Sequence, residues 1–250
     1  MILYERREAA ALVTIDRPAR HNAIDGPTAH ALLEAFQRFV ADDDAHVLVL
    51  TGAGEKAFCA GADLKALETL DPDAPGGPLG FTRLASPKPT IAAISGHCLA
   101  GGFELALWCD LRIAHPAATF GCAERRWGVP LIDGGTQRLP RIVGMGRALD
   151  LILTGRMVPV DEAHAMGMVN EVVAKGTALE RALQIAEALA TFPQETMLAD
   201  RRAAIEGFGL PLHEGLKVEA AAGRETFEVA QRGAARFAGG EGRGGAGAGV

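Results

Sequence analysis

The stretch Ser95–Asp110, SGHCLAGGFELALWCD, decides how the chain is read. A strand-like segment, TIAAI over residues 90–94, runs into it, and an apolar helix is predicted from about Gly102 to Cys109. Gly101 and Gly102 lack a Cβ, so the backbone there can approach a ligand closely. The first N–H groups of the helix have no intrahelical partner and point into the same space. Glu104 falls in that first turn. Such an arrangement polarises a carbonyl and sets a carboxylate beside it. A glutamate in a first turn is common on helix-dipole grounds alone, so this residue by itself decides little. Leu105, Ala106, Leu107 and Trp108, however, make the helix apolar nearly all round, which predicts burial. A buried carboxylate is costly and calls for a reason.

Outward from this stretch the chain alternates short strands and helices. Ala10–Asp16 reads as a strand, and Asp25 with Pro27 starts a helix carrying Leu32, Leu33, Phe36 and Phe39 at helical spacing. Val47–Leu50 is wholly apolar, as in a strand buried on both faces. A helix is predicted to begin at Ala60-Gly61-Ala62-Asp63-Leu64 and run to about Leu70. Residues 71–80, DPDAPGGPLG, are loop, with a short helix near Phe81–Leu84. Strand-like Leu111–Ala114 and Thr119–Gly121 follow, then a helix over Ile142–Leu153, a helical turn over Asp161–Ala165 and a strand over Val169–Val173. The strand–strand–helix rhythm repeats at roughly 45 to 50 residues, which suits stacked superhelical turns or an ordinary layered α/β sheet. From Ala178 the character changes to helices only: about Ala178–Thr191, Pro193–Glu206 and Pro211–Phe237. The glycine-rich end, residues 239–250, reads as disordered.

Composition narrows the function. Hydrophobic residues make up 48% of the 250, enough for a substantial core. A net charge of -6 argues against nucleic acid as the main partner. No apolar run is long enough to span a membrane. The N-terminal MILYERREAAALVTIDRP reads as a charged strand and not as an export signal, so the cytoplasm is the expected compartment. Cys59, Cys98, Cys109 and Cys122 match no zinc spacing and are expected as buried thiols, and the seven histidines form no close ligand pair. Gly52-Ala53-Gly54-Glu55-Lys56-Ala57 fits a dinucleotide fingerprint, but Phe58–Gly61 intervenes before any helix, so a nicotinamide cofactor is not expected.

Gly61-Ala62 and Gly101-Gly102 share one design, a small-residue pair expected at a helix start. If the two converge, their N–H groups make an oxyanion hole for a carbonyl that becomes an enolate. With Asn22-Ala23-Ile24, AFCAGADLKAL from Ala57, ISGHCLAGGFELALWCD from Ile94, FGCAERRWGVPLIDGGTQRLPRIVG from Phe120 and LTGRMVPVDEAHAMGMVNEVV from Leu153, the chain resembles the enoyl-CoA hydratase/isomerase, or crotonase, family over about residues 10–237. The order and spacing of the five motifs together are specific. The resemblance implies an α/β fold, a spiral of ββα units over residues 1–195, followed by a helical trimerisation region over 196–238. It implies a homotrimer or homohexamer acting on an acyl-CoA thioester, with coenzyme A as part of the substrate and no permanently bound cofactor.

By the same resemblance the oxyanion hole is the N–H of Ala62 with that of Gly101, and the two hydratase glutamates fall on Glu104 and Glu124. Adding water across a 2,3-double bond requires one carboxylate to activate water at Cβ and a proton to reach Cα. In many isomerases of the family only the second position is acidic, so Glu104 favours a hydratase. Coenzyme A contacts are expected around Ala60, Ala62, Asp63 and Leu64, with Ala23 and Gly102 beside them and Arg20, Lys56 and Lys65 toward its phosphates. The chain departs from the family pattern at Ala123, where proline is usual, and at Ile132, which replaces a glycine near the attacking water. Asp133 adds a possible third acid, and Trp127, Ile132 and Asp133 are expected to reshape the acyl pocket beside Gly76-Gly77-Pro78. The alternatives are isomerisation, decarboxylation or thioester hydrolysis on the same scaffold, and, in another class, an RNA-binding interaction protein.

Overall fold

Val47–Leu50 is buried on both faces because a strand lies on each side of it and layers cover it above and below. The computed structural model describes residues 1–174 and 177–240. In chain order its elements are β1 (Ile2–Arg7), β2 (Ala10–Ile15), α1 (Gly26–Ala41), β3 (Val47–Gly52), β4 (Ala57–Cys59), β5 (Thr90–Ile94), β6 (His97–Leu99), α2 (Gly101–Trp108), β7 (Leu111–Ala114), β8 (Thr119–Gly121), α3 (Gly135–Val143), α4 (Met145–Thr154), β9 (Val158–Pro159), α5 (Val160–Ala165) and β10 (Glu171–Val172). Helices α6 (Ala178–Thr191), α7 (Gln194–Gly207), α8 (Leu212–Glu225) and α9 (Phe227–Ala238) complete it.

A six-stranded sheet has the order β1-β2-β3-β5-β7-β10, and a four-stranded sheet the order β4-β6-β8-β9. From β2 onward every neighbour in the larger sheet is parallel, as are β4, β6 and β8 in the smaller. Each pass of the chain therefore lays one strand in the larger sheet and the next in the smaller: β3 and β4, β5 and β6, β7 and β8. The repeated rhythm is thus a spiral of ββα units within an α/β fold. Between the layers lie Leu48, Leu50, Phe58, Ile94, Phe103 and Phe120, all buried.

The chain divides into two compact units, Met1–Ala186 and the remainder from Glu187. Within the second unit α7 packs on α8 through Ala199, Ala203 and Ala222. Gly207 at the end of α7 and Gly215 in the first turns of α8 lie side by side, a Cβ on Gly207 meeting the Gly215 Cα at an ordinary contact distance of 3.5 Å. Arg202 pairs with Glu225 at 2.5 Å across the same helices.

Some local expectations are corrected. No helix starts at Gly61-Ala62: Ala62 forms a parallel bridge with Ile24, and the chain then turns to a short 3-10 segment at Leu67–Thr69. The bridge holds the backbone extended, and the Asp63 carboxylate accepts from Lys65 N–H in a local turn that competes with a helix. Phe81–Leu84 is a succession of turns. The helix expected over Ile142–Leu153 is two helices, because Gly144 takes φ of 84° between them. Pro211–Phe237 breaks likewise into α8 and α9 at Thr226. The glycine-rich tail lies outside the described residues from 241 on.

One buried cation ties α2 to the larger sheet. Arg112 on β7 is 5% exposed. Its guanidinium donates to the carbonyls of Cys109 (2.6 Å), Met168 (2.7 Å) and Ala106 (3.4 Å), and to Asn170 Oδ1 at 3.3 Å. Ala106 and Cys109 are at the C-terminal end of α2, where carbonyls lack helical donors and the dipole favours a cation. We predict that Arg112→Met, which fits the volume but orphans these acceptors, lowers unfolding stability by roughly 3 kcal/mol. Urea denaturation measures this, and a loss below about 1 kcal/mol would show the carbonyls are otherwise satisfied.

Candidate active site

The α2 N-terminus meets the turn after β4 at van der Waals distance. Gly61 has φ of 90°, and a Cβ there would stand 2.7 Å from the Gly101 nitrogen. Gly102 packs so tightly on β4 that its Cβ would fall 2.2 Å from the Cys59 carbonyl oxygen. These glycines permit the approach; larger residues would force the two segments apart. Ala100, immediately before α2, holds φ of 52° and ψ of −131°, an unfavourable conformation for a residue with a Cβ. In the bridge to Ile24, the Gly61 carbonyl and the Asp63 N–H make the hydrogen bonds, so the Ala62 amide faces the other way. Ala62 and Gly101 both line one cavity of about 660 Å³.

Glu104 is 2% exposed. Its Oε1 accepts from the backbone N–H of Gly135 at 2.7 Å and of Asp133 at 3.0 Å. Gly135 is the first residue of α3, so a second helix N-terminus is aimed at this carboxylate. A Cβ on Gly135 would lie 2.9 Å from Oε1, which only glycine avoids. Burial pushes the Glu104 carboxyl up to about 8; the Gly135 and Asp133 N–H groups oppose this, and the charges of Asp133 and Glu124 add to it.

Glu124 opens the 3-10 turn Ala123–Trp127. It is buried, and neither carboxylate oxygen has a hydrogen-bond partner among the described residues. Burial raises its pKa. Asp133, 4% exposed, is differently placed. Its Oδ1 accepts from the Leu79 N–H at 3.1 Å and from the Thr82 hydroxyl. Burial raises its pKa too, against these two hydrogen bonds and the charges of Arg83 and Arg138.

The cavity brings together many of the residues singled out in the sequence. Ala60, Ala62, Leu64, Gly101, Glu104 and Glu124 all line it. Ile132, Asp133 and Trp127 also line it, Trp127 at 73% exposure. The others lie elsewhere. Asp63 is buried and ion-paired with Arg17 at 3.2 Å. Ala23 is buried, its carbonyl accepting from Arg17. Gly102 faces β4. Arg20 and Lys65 are exposed, and Lys56 lines a separate depression with His21 and Gly54. Sequence reasoning missed Leu70, Pro72, Leu79 and Val129 in the cavity wall. It also missed Gly135, although the DGG triplet before a helix repeats the Gly-Gly pattern of α2. Among the described residues, no group of three His, Cys, Asp or Glu could hold a metal ion. All four cysteines are buried free thiols, Cys59 pushed up to about 12 by burial.

A carboxyl whose pKa rises on folding contributes stability that is complete below its unfolded value and lost as pH climbs through the folded one. For Glu104 that window runs from 4.5 to about 8. We therefore predict that Glu104→Gln melts higher than the unsubstituted protein above pH 8 and that this advantage disappears below pH 4.5. Thermal melts across the window decide it; a constant difference at all pH values would mean burial does not perturb Glu104.

Known proteins are similar to this chain in sequence and in fold. Residues 5–241 match the family model described as enoyl-CoA hydratase/isomerase. A probable enoyl-CoA hydratase of Rhizobium meliloti is 41% identical over 225 residues, 87% of this chain and 86% of the relative. A short-chain-enoyl-CoA hydratase of Clostridium acetobutylicum is 36% identical over 91% of this chain and 90% of its own length. The crystal structure of enoyl-CoA hydratase EchA1 from Mycobacterium marinum superposes with a TM-score of 0.89 at 37% identity, covering 95% of each chain. On this sequence and structural similarity, the chain belongs to the enoyl-CoA hydratase/isomerase family.

Proposed function

We propose that the protein is an enoyl-CoA hydratase-type lyase that adds water across the 2,3-double bond of a 2-enoyl-CoA thioester. The observation that carries this is a pair of buried carboxylates, Glu104 and Glu124, on one cavity with Ala62 and Gly101. The thioester oxygen sits between the N–H groups of Ala62 and Gly101, which bind it more strongly as enolate charge gathers there. Of the two acids Glu104 has its oxygen fixed by the Gly135 and Asp133 N–H groups, which orients it to hold the water that attacks Cβ and to take its proton. Glu124, the other buried carboxyl on the cavity, gives its proton to Cα. The pair thus keeps one proton throughout, and its transfer from Glu104 to Glu124 resets the site. Coenzyme A runs past Ala60 and Leu64, with Arg20, Lys56 and Lys65 available to its phosphates.

Glu104→Gln and Glu124→Gln keep shape and lose the acid–base function. Each should lower hydration turnover by roughly 10²- to 10⁴-fold, and their combined loss should fall well short of the product. A crotonyl-CoA hydration assay reads this directly. Full hydration by Glu104→Gln would reject the two-glutamate mechanism, and a parent protein that shifts the double bond of a 3-enoyl-CoA without hydrating crotonyl-CoA would favour isomerisation, for which the unpartnered Glu124 carboxylate is suited as a single proton shuttle.

The assembly is proposed to be a homotrimer or homohexamer in the cytoplasm, built on residues 196–238. Its support is the set of exposed apolar side chains there, among them Phe208, Leu212, Leu216 and Phe227. Among the described residues no helix is long and apolar enough to cross a membrane. Light scattering should give three or six times the chain mass at all concentrations tested; a concentration-independent monomer overturns the assembly.

A further inference from the structure

Asp133, like Glu104, is an acid of the cavity whose carboxylate is already committed to protein donors, and it alone of the three accepts from a side-chain hydroxyl. Its Oδ1 takes the Leu79 N–H at 3.1 Å and the Thr82 hydroxyl. Its backbone N–H is spent on Glu104 Oε1 at 3.0 Å. One residue therefore holds two things at once, the loop around Leu79 that walls the cavity and the Glu104 carboxylate that also lines it. Arg138 on α3 closes the link, donating to the Asp133 carbonyl at 2.9 Å and to the Thr82 carbonyl at 2.5 Å. The neighbouring backbone fits this use: Gly77 leaves the space, since a Cβ there would stand 2.2 Å from Thr82 Oγ1 and 3.1 Å from Asp133 Oδ1.

We propose that Asp133 is a positioning residue, a tether that fixes Glu104 by locking the 131–135 segment to the Leu79–Thr82 loop. The inference rests on the hydratase reading for its kinetic consequence, though not for its geometry. A residue bound on both sides of its Cα fixes the position of its own N–H, and that N–H is half of what holds Glu104 Oε1. Freed from Leu79 and Thr82, the segment loses its reference point, and Glu104 its alignment. Misplacement by about 1 Å is enough to cost on the order of 10²-fold in rate. The tether also accounts for Asp133 without giving it a proton to transfer. Its Oδ1 lone pairs face Leu79 and Thr82, and its placement depends on accepting hydrogen bonds, which an amide oxygen does equally well.

The test compares Asp133→Ala, Asp133→Asn and Thr82→Val in crotonyl-CoA hydration, with folding checked by circular dichroism and melting. Asp133→Ala should lose roughly 10- to 100-fold in kcat with a much smaller change in KM. Asp133→Asn, which keeps the acceptor, should recover most of that loss. Thr82→Val should fall in kcat alone, and adding it to Asp133→Ala should cost little more, because one tether is being cut twice. An Asp133→Asn protein as inactive as Glu104→Gln overturns the proposal and makes the carboxylate an acid–base group. Unsubstituted rates in both Asp133→Ala and Thr82→Val overturn it as well. Should the parent protein hydrate no enoyl-CoA, the hydratase reading fails, and carboxyl-carbon NMR of Glu104 still tests the tether. Thr82→Val leaves every charge in place, so a looser Asp133 N–H should raise the Glu104 titration, and an unmoved titration overturns the tether.

Discussion

The structure depends on a carboxylate buried at the start of a helix with one oxygen held by two backbone N–H groups. A glutamate at the Glu104 position, with no partner, would cost several kcal/mol or abandon its charge. The chain offsets part of this by bringing the N-terminus of α3 to face that of α2, so that Gly135 and Asp133 supply donors. That meeting sets what surrounds it. Gly135 must lack a Cβ, and the 131–135 segment must be anchored from outside the site, as it is through Thr82, Leu79 and Arg138. The first turn of α2 must in turn press against the Gly61–Ala62 corner, which Gly61 and Gly102 permit.

The ββα spiral makes such a meeting possible. Because each unit adds one parallel strand to each sheet, successive units place equivalent corners beside one another. The end of β4, the β6–α2 corner and the turn after β8 then line one cavity, although they span residues 60 to 133. The chemistry is distributed between these corners. In the proposed reaction, two supply amides for the carbonyl oxygen and two supply carboxylates for the reacting carbons. Burial raises every acid in the cavity, and the local donors differ: two for Glu104, none for Glu124, and a hydroxyl with an amide for Asp133. Environment thus distinguishes three similar side chains, as the proposed division of tasks requires.

Much of this was legible in the sequence. An apolar helix after Gly101-Gly102 forces Glu104 inside, whatever the fold, because no face of that helix is polar. Val47–Leu50, lacking polar alternation, reads as a strand buried on both faces, and Thr90–Ile94 as a strand, and both are strands of the larger sheet. Asp25 caps α1 as its position before Pro27 required, accepting from the Thr28 N–H. These are local facts, set by periodicity and by groups within a turn or two of one another.

The tertiary structure alone decided the rest. The Ala62 corner looked like a helix start, and its extended backbone comes from Ile24, 38 positions earlier in the chain, through a bridge no local propensity encodes. Gly135 offers no side chain, so nothing in its residue type announced that its N–H would hold Glu104, 31 positions away. Asp133 read as a spare acid, because a carboxylate's chemistry depends on its donors, and its donors Leu79 and Thr82 lie 54 and 51 positions away. Asp63 was placed at the ligand by its motif and is held instead by Arg17. Sequence fixes which groups a residue can offer; only the fold fixes which partners reach them, since hydrogen bonds and burial act through space over a few ångströms and the order of residues along the chain does not measure that distance.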